Sequence, residues 1–348
     1  MSRNSLVIVI IWLALLAGCN ASGESGRSPR IDTSEGMIEY LEQGRLPALR
    51  SVEKWYNRHG PGLKLTTDHY EIYTTLLEPL MLGQVPGFVE SAYRGYQSQL
   101  PEPIETTSKF TIYLFADRDQ WENFTETFTG EQSPIYLKIK AGGYYLNGAC
   151  VSYNVGRERT FSVLGHEGWH QFNSRHFKFR LPSWLDEGIA MQFEQHRSEQ
   201  GLFYFESSRN MYRLGDLKKT LMIDNMIPLE KLIAMNPGEA MATNKDMNVT
   251  AFYGQSYALV RFLREEDYGR RLGNYHQLLL GGLEGKWHLT GEQERMAVDR
   301  NIPLTIVWNR AVGQQLFREY ICDEDDFDQI EKEYVTFCRK IVYHVHFR

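Results

Sequence analysis

Hydrophobic and polar positions follow two kinds of spacing before residue 156. Spacing typical of helices covers residues 35–43, 48–56, 86–99 and 117–128. Alternation typical of strands covers residues 68–75 and 109–115. Two further short strands, at Tyr144-Tyr145 and Cys150 to Tyr153, flank Asn147-Gly148, a pair typical of a tight hairpin turn. This part of the chain is therefore predicted to mix helices with a small sheet.

After residue 156 the pattern becomes almost entirely helical. Helical spacing covers residues 160–172, 182–193, 207–221, 250–264, 270–280, 291–299, 304–320 and 327–341. We predict an α+β fold, in which a small mixed sheet with an edge strand lies beside a mainly helical core. The expected organisation is a leading helical segment at 34–65, an α+β subdomain at 66–156 and a helical subdomain at 157–348.

The first residues have the pattern of a targeting signal. Arg3 precedes an unbroken apolar run at residues 6–17, which is too short to cross a bilayer as a helix. Leu16-Ala17-Gly18-Cys19 resembles the lipobox of bacterial lipoproteins, in which the cysteine carries the lipid. This predicts a signal peptide at 1–18 and a flexible tether at 19–33. The alternatives are an ordinary secretory signal with an incidental cysteine and a buried N-terminal helix.

The lipobox resemblance implies a location in the bacterial cell envelope. Acyl chains on Cys19 would hold the protein on a membrane surface, because two or three chains anchor stably where one binds only marginally. Asn20 follows the cysteine, whereas an Asp there tends to mean retention at the inner membrane. The resemblance therefore implies the outer membrane if the source has one.

Composition excludes two classes of protein. Of 348 residues, 42% are hydrophobic and 13% aromatic, which excludes disorder as the main state. The formal charge is -6 and no long basic run occurs, so we expect no nucleic-acid partner.

Three cysteines follow Cys19, namely Cys150, Cys322 and Cys338. A bridge between Cys322 and Cys338 and three free thiols are both compatible with the sequence.

His166-Glu167-Gly168-Trp169-His170 is the first group of residues that indicates chemistry. Residues four apart lie on one face of a helix, so both imidazoles can reach one tetrahedral metal ion. Glu167 lies on an adjacent face, where its carboxylate can take a proton from a metal-bound water instead of ligating the metal. The alternative is that these are two ordinary histidines of a helix.

Glu187 is the candidate third ligand. It lies in Leu181 to Ala190, separated from His170 by sixteen residues, and one turn into a helix that starts near Pro182. A catalytic zinc site needs three protein ligands and one open position for water. We therefore expect His166, His170 and Glu187 to hold one zinc ion.

The segment resembles the gluzincin zinc peptidases, and most closely the peptidase MA-like domains. The Trp-Leu-x-Glu-Gly-x-Ala string at 184–190 looks like the third-ligand motif of the membrane alanyl aminopeptidases. Residues 252–263 are similar to the helix whose tyrosine hydroxyl lies beside the metal in those enzymes, and Tyr253 falls on that tyrosine. The resemblance implies that Tyr253 stabilises the oxyanion. The alternative is that Tyr253 is a core aromatic residue.

Gly142, Gly143 and Tyr144 lie just before the predicted hairpin. Glycines there would let a substrate backbone approach and pair with the edge of the sheet, although an ordinary turn explains them equally well. The Gly-x-Met-x-Asn motif of the aminopeptidases is missing from the sequence, so recognition of a free amino terminus is not implied.

The function implied by the resemblance is that of a membrane-anchored zinc metallopeptidase acting on peptides or proteins. Whether it would be an endopeptidase or an aminopeptidase stays open. The rival hypothesis is a non-catalytic surface lipoprotein that binds peptides or proteins and keeps a structural metal. A structural zinc site normally has four protein ligands and no carboxylate for proton transfer, so the presence of Glu167 favours the enzyme.

Overall fold

A computed structural model describes residues 32–140, 142–242, 246–300, 306–322 and 326–343. The signal peptide, the lipidation site Cys19, Asn20 and nearly all of the tether lie outside the described residues. Within these ranges, no helix is both long enough and apolar enough to cross a membrane.

Six strands form one mixed sheet. They are β1 (Ser51–Lys54), β2 (Leu63–Thr66), β3 (Tyr70–Thr74), β4 (Phe110–Phe115), β5 (Gly143–Leu146) and β6 (Ala149–Tyr153). Their order is β1-β2-β3-β4-β6-β5, with β4 parallel to both β3 and β6 and the other pairs antiparallel. The hairpin predicted around Asn147-Gly148 joins β5 to β6, with φ of 49° and 82° at the two turn residues. The predicted mixed sheet is confirmed, and β5 is one of its edge strands.

Five helices accompany these strands. They are α1 (Ser34–Gln43), α2 (Pro79–Leu82), α3 (Val85–Gln97), α4 (Arg118–Thr129) and α5 (Ser133–Tyr136). The Asp117 side chain accepts a hydrogen bond from the Gln120 amide and so caps α4.

The prediction of a helix at 48–56 is wrong, and the leading segment 34–65 is therefore not helical throughout. This stretch contains β1, in which Val52 pairs with Leu65 of β2 in an antiparallel ladder. The pairing satisfies the backbone of β1 between strands, which overrides a helical preference too weak to persist in a short segment.

The second half of the chain is mainly helical. Its helices are α6 (Arg157–His176), α7 (Ser183–Ala190), α8 (Met211–Met222), α9 (Leu229–Ala234), α10 (Pro237–Ala242), α11 (Asp246–Glu265), α12 (Leu272–Glu284), α13 (Gly291–Val298), α14 (Ile306–Tyr320) and α15 (Phe327–Tyr343). A separate two-stranded hairpin is formed by β7 (His196–Glu199) and β8 (Leu202–Phe205). The chain therefore has the expected α+β fold.

Helix α6 lies between the sheet and the other helices and is packed closely on both sides. A Cβ atom on Gly168 would lie 2.3 Å from Oη of Tyr96, and one on Gly165 would lie 2.3 Å from the Phe193 carbonyl oxygen. The Tyr96 hydroxyl uses this space to donate a hydrogen bond of 2.8 Å to the Gly165 carbonyl. Glycine inside α6 costs helix stability, but here it permits the contacts that fix the position of the helix.

None of the three described cysteines forms a disulfide bond. Cys150 and Cys338 are buried and Cys322 is partly buried. The bridge between Cys322 and Cys338 that the sequence left open is not formed.

Candidate metal centre

Helices α6 and α7 bring the three predicted ligands together. His166 and His170 lie one turn apart on α6, and their ring centroids are 5.0 Å apart. Helix α7 begins directly after Pro182 and turns Glu187 towards them. Nε2 of His166 lies 3.4 Å from Oε2 of Glu187, and Nε2 of His170 lies 3.9 Å from Oε1. The three side chains are 15%, 16% and 18% exposed, so the group lies in a partly open recess.

The His166–Glu187 distance of 3.4 Å fits a single zinc ion, and the His170–Glu187 distance of 3.9 Å lies slightly beyond the ideal spacing. Zinc bonds of about 2.0–2.2 Å at tetrahedral angles place neighbouring ligand atoms about 3.3–3.5 Å apart. Oε2 of Glu187 is buried and accepts no hydrogen bond from any described residue. Burying a carboxylate oxygen that accepts no hydrogen bond raises the free energy of the folded state unless a cation lies against it. Two imidazole nitrogens and one carboxylate oxygen are also a donor set that zinc prefers.

Asp186 orients His170. Its Oδ1 lies 3.1 Å from Nδ1 of His170 and also accepts hydrogen bonds from Nε1 of Trp169 and Nδ2 of Asn173, both at 2.9 Å. An ionised carboxylate only accepts hydrogen bonds, so Nδ1 of His170 carries the proton in this pair. Nε2 of a neutral His170 is then left with its lone pair facing Glu187.

Glu194 orients His166 in the same way. Oε1 of Glu194 lies 3.0 Å from Nδ1 of His166. Arg213 holds this carboxylate at both oxygens, with Nε 2.8 Å from Oε2 and Nη2 2.6 Å from Oε1. The Asn210 amide donates a further bond of 2.8 Å to Oε2. In each of the two candidate ligand histidines, a carboxylate thus holds the proton on Nδ1 and fixes the orientation of the ring.

Carboxylates dominate the electrostatics of the recess. Burial opposes the ionisation of Glu194, but the charges of Arg213 and His166 outweigh it and lower the pKa of Glu194 to about 2. Burial alone would lower the pKa of His170, whereas Asp186 and Glu187 outweigh it and raise that pKa to about 9. The recess therefore favours a cation.

Glu167 lies beside the two histidines on α6 and is partly buried. Burial raises the pKa of its carboxyl group above the ordinary value, against the opposing charges of His166 and His170 and a weaker hydrogen bond from the Tyr145 backbone. Glu167 is not among the residues whose ligand atoms converge on one point. Glu167 therefore lies next to the candidate ligand His166 without being a candidate ligand itself.

Tyr253 reaches the same recess from α11. The Glu187 carboxylate and burial together raise the pKa of its hydroxyl, so this group stays protonated and can donate a hydrogen bond. The Arg213 guanidinium lies 5.3 Å from the centre of the Tyr253 ring and holds it from one side. Helix α11 is itself fixed against α7, because a Cβ atom on Gly188 would lie 2.6 Å from the Ser256 carbonyl oxygen.

The predicted substrate strand is β5. Gly143 lies so close to β6 that a Cβ atom would be 2.5 Å from the Val151 carbonyl oxygen, and Gly142 has a φ of 129°, which favours glycine. The Tyr144 side chain is buried and donates a hydrogen bond of 3.0 Å to Oγ1 of Thr125. At Tyr144, therefore, only the backbone amide and carbonyl groups are available to a substrate.

Comparison with known proteins does not assign a function to this site. No family model matches the chain. No curated protein is significantly similar to it. Its function must therefore be inferred from the geometry of the site itself.

Proposed function

We propose that the protein is a zinc-dependent peptidase of gluzincin type that hydrolyses peptide bonds. The observation that carries this proposal is the convergence of His166, His170 and Glu187, with Glu167 on the same helix as the two histidines. Zinc held by these three residues would act as a Lewis acid.

The residues of the chain have distinct parts in the reaction. Glu167 removes a proton from the attacking water as the new carbon–oxygen bond forms at the peptide carbonyl. It then delivers that proton to the amide nitrogen as the carbon–nitrogen bond breaks, which leaves a carboxylic acid and an amine, and the acid passes its proton to the amine to give a carboxylate and an ammonium group. The Tyr253 hydroxyl donates a hydrogen bond to the oxyanion between these two steps.

The ligand set supports catalysis over a structural metal. The candidate group contains three ligands, and no fourth His, Cys, Asp or Glu of the described part of the chain joins it. Structural zinc sites normally close with four protein ligands, while catalytic sites keep one position open. The partly open recess also gives a substrate access to that position.

The experiment that tests the proposal is a cleavage profile. The purified chain, loaded with zinc or stripped by a chelator, is incubated with a broad peptide library, and the products are identified by mass spectrometry. We expect cleavage only in the zinc-loaded sample, with the positions of the cuts deciding between an endopeptidase and an aminopeptidase. A zinc-loaded protein that cleaves nothing would favour the rival lipoprotein that binds peptides.

Tyr253→Phe removes one hydroxyl and leaves the ring in place. If that hydroxyl binds the oxyanion, turnover of a cleaved peptide should fall by about 10²–10³-fold while bound zinc stays unchanged. The same substitution at Tyr212, which is exposed on α8, is the matched control and should change neither quantity. Equal turnover in Tyr253→Phe and the wild type would assign Tyr253 to packing alone.

Lipidation of Cys19 is the second part of the proposed function, because it would place the peptidase on an envelope membrane. Cys19→Ser removes the thiol to which the lipid would be joined. Expressed in bacteria, this variant should lose incorporation of labelled fatty acid and should leave the membrane fraction, whereas Cys150→Ser should behave as the wild type does. Unchanged labelling of Cys19→Ser would contradict the anchor.

A further inference from the structure

A second recess lies apart from the metal centre, between α3, the hairpin β7–β8 and the junction of α11 with α12. Its volume is about 610 Å³, which is within the range of small-molecule sites. Phe193, at the end of the 3-10 turn Met191–Phe193, forms part of its lining. We call it the arginine cavity, after Arg94 and Arg264, which both line it.

The two arginines give the arginine cavity a positive charge that the described residues do not neutralise. Neither guanidinium has a carboxylate within ion-pair distance among these residues, and the only described side-chain partner of Arg94 is Oγ of Ser91, at 2.9 Å. Nε of Arg264 is buried and has no hydrogen-bond partner. A ligand in the cavity cannot reach this buried nitrogen, but no described residue accepts a hydrogen bond from any nitrogen of the Arg264 guanidinium, so its outer nitrogens are left for an acceptor in the cavity.

The one carboxylate that lines the cavity is already paired. Glu265 is held by Arg261, with Nε 2.9 Å from Oε1 and Nη2 2.7 Å from Oε2. This two-point pairing satisfies Glu265 within α11, so it does not serve Arg264 or Arg94. The charge left for a ligand is therefore that of two guanidinium groups.

Apolar surface makes up more of the lining than polar surface does. Phe193, Phe203, Phe205, Leu202 and Leu272 are among the lining residues, together with the polar residues Ser91, Ser98, Gln99, Gln192 and Ser207. Aromatic rings and leucines of this kind favour an apolar chain or ring, while the guanidinium fork matches a planar carboxylate.

We infer that the arginine cavity binds an amphipathic carboxylate, that is, one carboxylate joined to an apolar chain or ring. A fatty acid and the carboxyl end of a peptide with an apolar last residue both have this chemistry. The inference does not depend on the proposed peptidase activity, because none of the residues that line the cavity belongs to the metal centre.

Titration calorimetry on the full chain tests the inference with four probes. Decanoate and N-acetyl-leucyl-phenylalanine carry the predicted chemistry from the two sources, decanol lacks the charge and acetate lacks the apolar part. We expect decanoate or the dipeptide, whichever matches the natural source, to bind at least tenfold more tightly than decanol and acetate.

Substitution of the arginines locates the binding. Arg264→Gln and Arg94→Gln should each weaken binding of the preferred probe about tenfold or more, because each removes a charged hydrogen-bond donor. Arg295→Gln, at an exposed position on α13 outside the cavity, is the matched control and should bind as the wild type does. Arg94 is exposed, so its substitution tests the inference even if Arg264→Gln destabilises the fold. Binding that is equal in all variants, or absent at about 10 mM of both carboxylates, would overturn the inference.

Discussion

Replacing Glu167 with Gln should lower peptide turnover by about 10²–10⁴-fold while the chain keeps its zinc. Glutamine has nearly the same shape as glutamate but cannot accept the proton of the attacking water. The three converging ligand atoms belong to other residues, so the metal should stay bound. Turnover of a cleaved peptide and zinc content are measured on the same preparation.

The matched control for this prediction is Glu158→Gln. Glu158 is on the same helix α6, but its side chain is 70% exposed. This variant should keep the activity and the zinc of the wild type, which shows that a lost carboxylate on α6 is not harmful in itself. Full activity in Glu167→Gln would rule out the mechanism, because no other carboxylate is proposed to carry the proton.

The sequence predicted the two helices of the candidate site because both depend on local rules. His166 and His170 share a face through their spacing of four, which holds in any regular helix. Pro182 marks the start of α7 because its ring suits a helix beginning and not a helix interior. The packing of α7 across α6 then brings Glu187 within 4.8 Å of both histidines, as the ligand spacing predicted.

The sequence does not predict those parts of the fold whose structure depends on tertiary pairing. Strand β1 is only four residues long and exists because β2 pairs with it. The sequence pattern also does not predict the short helices α9 and α10, of six residues each, because fewer than two turns give too few positions for a helical period to appear.

The two carboxylates that orient the histidines, from Glu194 and Asp186, also could not be assigned from sequence spacing. Glu194 lies 28 residues from His166 in sequence, and its partner Arg213 lies another 19 residues further on. No local spacing connects these three positions, so only the folded chain reveals that they interact. Asp186 adjoins Glu187 in the sequence, but this position alone cannot separate a partner of an imidazole from a surface charge. Its contacts with Trp169, His170 and Asn173 decide the question.

His170→Ala should reduce bound zinc from about one ion per chain to a small fraction of that, because it removes one of only three protein ligands. The alanine also leaves Glu187 with a single imidazole partner, so the remaining two ligands cannot close around the ion. Zinc content is measured by elemental analysis after dialysis against a buffered zinc concentration. His288→Ala, at a position whose side chain is 85% exposed, is the matched control and should keep its zinc.

Asp186→Asn extends this prediction to the group that orients the ligand. The variant keeps all three ligands but loses the charge that holds the proton on Nδ1 of His170, so zinc affinity should fall by about 10–100-fold. Zinc content should therefore decrease in the order wild type, Asp186→Asn, His170→Ala when all three are equilibrated at the same free zinc. Thermal unfolding of the metal-free proteins shows whether the variants are folded. A difference in zinc content between equally stable proteins then reflects zinc affinity and not loss of the fold. Equal zinc in His170→Ala and the wild type would show that the metal, if bound at all, lies elsewhere, and the peptidase proposal would fail with it.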